Sequence, residues 1–169
     1  HSIQTVYDSA EDMISDPGIE AIHNCTPNHL HYKYNRLTLL AGKHLMSEKP
    51  LALSTAQSAE LVQLAQSASV ASGVCFNYRH FPLVIEAREA IKSHLYGNVH
   101  HVFGGYLQDW LLYQTDYNWR IVSEYVGDSR AIADIGSHWC DVIQFVLGHR
   151  ITEVCADLSV LHPFRTTQS

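Results

Sequence analysis

The 169-residue sequence predicts a parallel α/β part followed by an α+β part. Three observations carry that expectation. Short apolar segments alternate with helix-period segments in the order β-α-β-α-β between residues 19 and 76. The connections between them are short, which implies parallel strands joined by right-handed crossovers. Near residue 97 the pattern changes to longer segments of mixed polarity.

The elements follow in order. Ser9 with Asp12 resembles a capping box and predicts a short helix over residues 9–14, ended by Pro17-Gly18. Residues 19–25, IEAIHNC, read as a strand that Thr26-Pro27-Asn28 breaks. Asn28 is a fair N-cap for a helix through HLHYKYNRLTLLA, with Leu30, Tyr34, Leu37 and Leu40/Ala41 at helical spacing and Gly42 as its stop. Residues 44–47 form a second strand. Ser54 with Gln57 opens a helix to about Ala68, whose buried stripe is Leu61, Leu64, Ala65 and Ala68. Residues 71–76 form a third strand, and Pro82 suits the start of a helix running to about Leu95, before Gly97. Residues 99–110 look like a long strand, 131–147 like a helix ended by Gly148, and 151–161 alternate as a strand. There are no repeats and no low-complexity tract.

The bulk numbers narrow the classes. Net charge is −6 with neutral histidines, and no basic stripe exists, which argues against nucleic acid or an anionic membrane surface as partner. No apolar run reaches the roughly 18 residues a bilayer span needs. Cys25, Cys75, Cys140 and Cys155 are scattered beside apolar segments, without C-x-x-C, and read as free thiols of a reducing, cytoplasmic compartment.

Three clusters carry candidate chemistry. TPNHLH at 26–31 and EKP at 48–50 each follow a predicted parallel strand, and ligands of open α/β sheets bind beyond the carboxyl ends of strands. The TPN turn also opens a helix, whose free N–H groups favour an anion. The same three residues make an ordinary strand-to-helix turn. In ADIGSHWCD, Asp134, His138 and Asp141 fall at i, i+4 and i+7 on one helical face, with Ile135, Val142 and Ile143 opposite. Two carboxylates around an imidazole suit a general acid/base, a metal site, or a merely solvated face. No Gly-x-Gly-x-x-Gly, Walker loop, Gly-x-Ser-x-Gly or His-Glu-x-x-His occurs.

Together these stretches resemble the glucose–fructose oxidoreductase / inositol dehydrogenase / MocA (Gfo/Idh/MocA) family of NAD(P)-dependent oxidoreductases. Residues 19–53, GVCFNYRHFP at 73–82, NWR at 118–120 and ADIGSHWCDVIQFVLG at 133–148 come in family order. The resemblance implies the later part of a Rossmann-type NAD(P)-binding domain over residues 1–96. Residues 97–169 would begin an α+β domain with an open, mostly antiparallel sheet, used for substrate binding and oligomerisation. It implies that Lys49, Asp134 and His138 are catalytic. His138 takes the proton from a substrate hydroxyl as hydride leaves the same carbon, Lys49 steadies the charge on that oxygen, and Asp134 orients the substrate. Thr26, Pro27, Asn28, His31, Glu48, Lys49 and Asn77 would line NAD or NADP, and Arg79, Trp119 and Arg120 the sugar, cyclitol or related polyol.

The family begins with a strand and a Gly-rich pyrophosphate loop, and continues with more strands and helices. The resemblance therefore implies that these residues form a middle segment, lacking the first strands and the residue that chooses NAD or NADP. Family members often carry a glycine run where this sequence has GDSRAIA at 127–133, and Arg130 there suits either an acidic or hydroxylated substrate or solvent. The alternatives are an NAD-dependent glycoside-cleaving relative and an inactive sugar- or nucleotide-binding module. The family's habit also implies a homo-oligomer, a dimer or tetramer.

Overall fold

The structure is a computed structural model that describes residue 3 and residues 5–166. It contains two compact units: one runs through Cys75 and includes Glu124–Asp128, and the other comprises Phe76–Ser123 with the residues from Ser129 onward.

The first unit alternates helix and strand: α1 (Ala10–Ser15), β1 (Ala21–Asn24), α2 (Asn28–Leu40), β2 (His44–Ser47), α3 (Thr55–Ala68) and β3 (Ser72–Val74). The strands form one parallel sheet in the order β1-β2-β3, with Ile22 beside Leu45 and Ser47 beside Val74. Both expected capping residues work: Ser9 accepts from the Asp12 amide and Ser54 from the Gln57 amide, each satisfying a donor that a helix start leaves orphaned. At α2 the cap shifts by one residue. Pro27 holds the N-cap position, Asn28 is the first helical residue, and no side chain closes the end. Gly42 follows that helix at φ +68°, in the left-handed region where a side chain is disfavoured.

Leu39, Leu45, Ala52 and Leu61 form the apolar core of this unit, with Tyr32, Leu51, Leu64, Ala65 and Val70 against it. Burying one such leucine contributes about 1.5–3 kcal/mol. The buried face of α2 is a correction to the apolar stripe read from the sequence. His31, Asn35, Thr38 and Leu39 are buried, whereas Leu40 is 55% exposed. The stripe is rotated by about one residue because the polar side chains find hydrogen-bond partners inside. Apolar periodicity carries no information about such partners. On its outer flank α2 is tied to α3, since Tyr32 Oη and Arg36 Nε both donate to Glu60, at 2.5 and 2.8 Å.

The second unit holds a 3-10 turn at Asn77–His80, α4 (Pro82–Lys92), a 3-10 turn at Trp119–Ile121, a π turn at Ile132–Gly136 and α6 (Ser137–Leu147). Between the second 3-10 turn and the π turn lies α5 (Ser123–Val126), most of which belongs to the first unit. Pro82 sits in the first turn of α4 as expected, and Gly148 ends α6 at φ +70°. α4 stops at Lys92, short of Leu95. The helix expected over 131–147 is interrupted, because its first turn takes π geometry before α6 begins. Asp134 lies in that turn, so it does not continue the straight i, i+4, i+7 face through His138 and Asp141.

Residues 99–110 and 151–161, expected as strands, form none. A strand is defined by the ladder it shares with a neighbour, and among the described residues neither segment has one. Their apolar side chains stand out: Phe103 is 87% exposed, Leu107 92% and Val154 81%. Gly104 is required by a close approach, since a Cβ there would run into the indole ring of Trp139. Gly104→Ala is expected to destabilise this unit by about 1–3 kcal/mol through overpacking. Tryptophan fluorescence during urea unfolding checks it, and an unchanged midpoint would show that the indole moves aside freely.

Candidate functional site

The first unit brings its two candidate turns together through a buried polar network. β1 alternation sends Asn24 inward with Ile22, and β2 sends Ser47 inward with Leu45. Asn24 Nδ2 donates to Asn35 Oδ1 at 2.8 Å and to the His31 carbonyl at 3.3 Å. Asn24 Oδ1 accepts from Thr26 Oγ1 at 2.7 Å and from the Thr26 amide at 3.2 Å. Asn35 Nδ2 donates to Ser47 Oγ at 2.9 Å and to the Leu51 carbonyl at 3.1 Å. Asn35 is fully buried, and every one of its amide atoms is engaged.

His31 links the turns directly. It is 1% exposed, with Nε2 2.7 Å from the Thr26 carbonyl and Nδ1 2.6 Å from the Pro50 carbonyl. The imidazole thus bridges the TPN turn and the EKP turn. The Glu48 amide donates to the Asn24 carbonyl at 2.9 Å, extending the β1–β2 ladder to the residue before Lys49. Lys49 is half-buried, and the peptide joining it to Pro50 is cis. Thr26 and Asn28 are partly buried beside this network, while Pro27 is exposed.

Two aromatic residues extend the first unit's site. His29 stacks on Tyr125, ring centroids 5.0 Å apart, at the opening of α2. Its Nδ1 is buried without a hydrogen-bond partner among the described residues.

The second unit gathers the other candidates around α6. His138 is 7% exposed and stacks face to face on Tyr78, centroids 4.2 Å apart and planes 15° from parallel. Phe76 meets the same imidazole edge-on at 5.8 Å. The hydroxyls of Tyr78 and Tyr106 lie 2.7 Å apart, and Gln108 Nε2 donates to Tyr106 Oη. That bond to Tyr106, then burial, then the charges of Tyr106 and Asp134 push the Tyr78 hydroxyl above its ordinary pKa, so it stays neutral.

The carboxylates have separate cationic neighbours. Arg79 grips Asp141 with two parallel donors, Nε to Oδ2 at 2.7 Å and Nη2 to Oδ1. This bidentate contact, with the Asp141 charge behind it, raises the already high Arg79 pKa. Asp141 is 7% exposed, so Arg79 is committed on one edge to a buried carboxylate. Asp134 Oδ1 lies 3.8 Å from Arg120 Nε, and the Arg120 guanidinium covers the Trp119 ring at 4.5 Å. Asn118 shapes that turn by accepting from the Arg120 amide at 3.1 Å. Arg130 lies over Trp110 at 5.6 Å, and burial lowers its pKa. Asn77 is exposed at the start of its 3-10 turn.

Sequence reading passed over Asn24, Asn35, Ser47, Tyr78, Tyr106, His29 and Tyr125. For Asn24 and Ser47 a signal was present: each shares its strand's inward parity with a core aliphatic, and a polar residue there needs a partner. For Tyr106 no local signal existed.

Comparison with known proteins follows the same division. Residues 2–76 match the family described as oxidoreductase family, NAD-binding Rossmann fold, and residues 84–168 match the GFO/IDH/MocA C-terminal domain. The chain is 34% identical over 158 residues to levoglucosan dehydrogenase of Pseudarthrobacter phenanthrenivorans, covering 93% of this chain and 40% of that protein. It is 31% identical over 153 residues to 1,5-anhydro-D-fructose reductase of Ensifer adhaerens, covering 88% and 44%. Among solved structures, levoglucosan dehydrogenase in complex with NADH and levoglucosan superposes with a TM-score of 0.80 at 32% identity, covering 84% of this chain and 38% of that one. The chain thus spans about two fifths of the length of the curated relatives it matches. The three-stranded parallel sheet belongs to a Rossmann-type NAD-binding fold. No helix among the described residues is long and apolar enough to cross a membrane.

Proposed function

We propose, for a chain that belongs to the Gfo/Idh/MocA oxidoreductase family, that it works as an NAD(P)-dependent oxidoreductase. The reaction moves a hydride between the cofactor and a hydroxyl or carbonyl carbon of a sugar, cyclitol or related polyol. The observation that carries this reading is the polar network that fixes the TPN and EKP turns at the carboxyl ends of β1 and β2. In a doubly wound sheet that edge is where a nucleotide cofactor binds.

The residues present fit such a cofactor. α2 opens without a side-chain cap, leaving the N–H groups of Asn28 and His29 for an acceptor while the Leu30 N–H bonds the Pro27 carbonyl, and the buried His29 Nδ1 beside them lacks a partner among the described residues. Thr26, Pro27, Asn28, Glu48, Lys49 and Asn77 would hold NAD or NADP, with His31 keeping the first and second turns in register. When bound, the nicotinamide ring supplies the hydride acceptor or donor. His138 carries the proton: it accepts it from the substrate hydroxyl during oxidation and returns it to the carbonyl oxygen during reduction. Lys49 donates a hydrogen bond to that oxygen and stabilises its developing charge. Asp134 orients the substrate, with Arg79, Trp119 and Arg120 as the binding groups around it. Tyr78 and Phe76 present apolar ring surface to the imidazole, which keeps water from competing for its proton.

The same reading divides the chain at residues 1–96 and 97–169, and gives the second part an open, mostly antiparallel sheet to which 99–110 and 151–161 contribute strands. The exposed alternating aliphatics of those segments support it, and the same reading makes the protein a cytoplasmic homo-oligomer in which such faces become covered. The test is reduction of NAD+ and NADP+ by a panel of anhydrosugars, aldoses and inositols, read as cofactor absorbance. Sugar-dependent reduction is expected, and cofactor-independent substrate breakdown would overturn the reading.

A further inference from the structure

The sheet of the first unit has a second face, and its carboxyl edge carries a donor set that shares only Glu48 with the proposed cofactor residues, so an ion there would compete with the cofactor for that carboxylate. Strand parity puts it there. Ile22, Asn24, Leu45 and Ser47 point inward, so His23 and Met46 point to the opposite face. Continuing the register one residue beyond Asn24↔Ser47↔Val74 sets Cys25, Glu48 and Cys75 in a row across the three chain segments. Neighbouring strands lie about 4.8 Å apart, so three donors fall side by side, with His23 one pleat back.

The side chains converge accordingly. One ligand atom from each of His23, Cys25 and Glu48 lies within 4.8 Å of the others. His23 Nε2 is 3.8 Å from Glu48 Oε1 and 3.6 Å from Cys75 Sγ. A tetrahedral centre with metal–ligand bonds of about 2.0–2.3 Å has ligand–ligand edges of about 3.3–3.8 Å. Both measured edges fit that range without rebuilding the strands. His23 and Cys25 are exposed and Glu48 and Cys75 half-buried, so an ion can reach the site from solvent. All four cysteines are free.

We propose that His23, Cys25, Glu48 and Cys75 form a binding site for Zn2+. Two thiolates, one imidazole and one carboxylate are the ligand chemistry that favours a tetrahedral, borderline-soft divalent ion over Mg2+ or Ca2+. The outermost turn of the sheet, where the strands are short, would be cross-linked by the ion.

The experiment loads the reduced protein with Co2+ as a spectroscopic stand-in and then titrates Zn2+ against a chromophoric chelator. The expected results are one ion per chain, thiolate-to-cobalt charge-transfer absorption with visible bands of tetrahedral intensity, and displacement of both by Zn2+. Cys25→Ser and His23→Ala should each weaken Zn2+ binding by at least about 10–100-fold, since even loss of an outer partner of a ligand costs that much. Cys155→Ser, at an exposed thiol of the other unit, should leave affinity and spectrum unchanged. Far-UV circular dichroism confirms that each variant is folded. Absence of charge-transfer bands in the parent protein would overturn the proposal. So would parental affinity in folded Cys25→Ser, or an equal loss in Cys155→Ser.

Discussion

Lys49→Ala is expected to reduce turnover by about 10²–10³-fold while leaving the unfolding midpoint of the protein within error. Removal of one preorganised donor to a developing oxyanion costs that much, and an ammonium is the stronger kind of donor because it carries charge into a water-poor site. The fold should survive because Lys49 is half-buried, whereas the turn around it is held by Asn35, Ser47 and His31. Lys49→Arg should not restore activity, since a planar guanidinium presents its donors differently from a compact ammonium. His138→Asn should lose about 10²–10⁴-fold by removing the proton carrier. The two losses are expected to fall on kcat more than on KM, because both groups act on charge that appears in the transition state. The check is steady-state cofactor reduction with the best sugar from the panel, beside urea unfolding of each variant. Undiminished kcat in Lys49→Ala would remove Lys49 from the mechanism.

The elements that sequence reading located well are those whose signals are local. Ser9, Ser54, Pro82, Gly42 and Gly148 each act within one turn of the backbone, and all five do what their chemistry dictates without help from the rest of the chain. The three parallel strands were legible because their apolar residues and short connections agree with one another. The buried face of α2 was not, because it is made of His31, Asn35 and Thr38, and the first two are held by partners 11 to 19 residues away in β1, β2 and the turn after β2. The interruption of the last helix was equally hidden: nothing in AIADIGSHWCD marks where α geometry gives way to a π turn. Residues 99–110 and 151–161 alternate as strands do, but alternation specifies a face and not a neighbour. Of the candidate site, the motifs were visible as residues in sequence, whereas the network that sets their geometry became visible only once β1, β2 and α2 were packed.

That network makes Asn35 the residue whose loss should unsettle the first unit most. Asn35→Ala removes a partner from three groups at once, the Asn24 amide, the Ser47 hydroxyl and the Leu51 carbonyl, all bonded to its side chain at 2.8 to 3.1 Å, and leaves Asn24 Nδ2 only its longer bond to the His31 carbonyl. Each buried polar group left unsatisfied costs about 1–3 kcal/mol, and some relief comes from Ser47, which already donates to the Glu48 carbonyl at 2.8 Å. A net destabilisation of about 3–5 kcal/mol is therefore expected, a large share of the roughly 5–15 kcal/mol that holds an ordinary domain folded. Asn35→Asp separates the contributions. It keeps an acceptor for Asn24 but loses both donated bonds and places a carboxylate where the Leu51 carbonyl and Ser47 oxygen lie, so it should be at least as damaging as alanine at neutral pH. The double variant Asn24→Ala/Asn35→Ala should cost less than the sum of the single changes, because each single change already breaks the hydrogen bond the two amides share. Hydrogen exchange gives the local readout. The Glu48 amide, bonded to the Asn24 carbonyl, should lose protection in Asn35→Ala by more than amides of α3, if the network rather than the apolar core fixes the turn that carries Lys49. Equal loss at both places would assign the effect to global unfolding, and no loss at either would show that the turns are held by His31 alone.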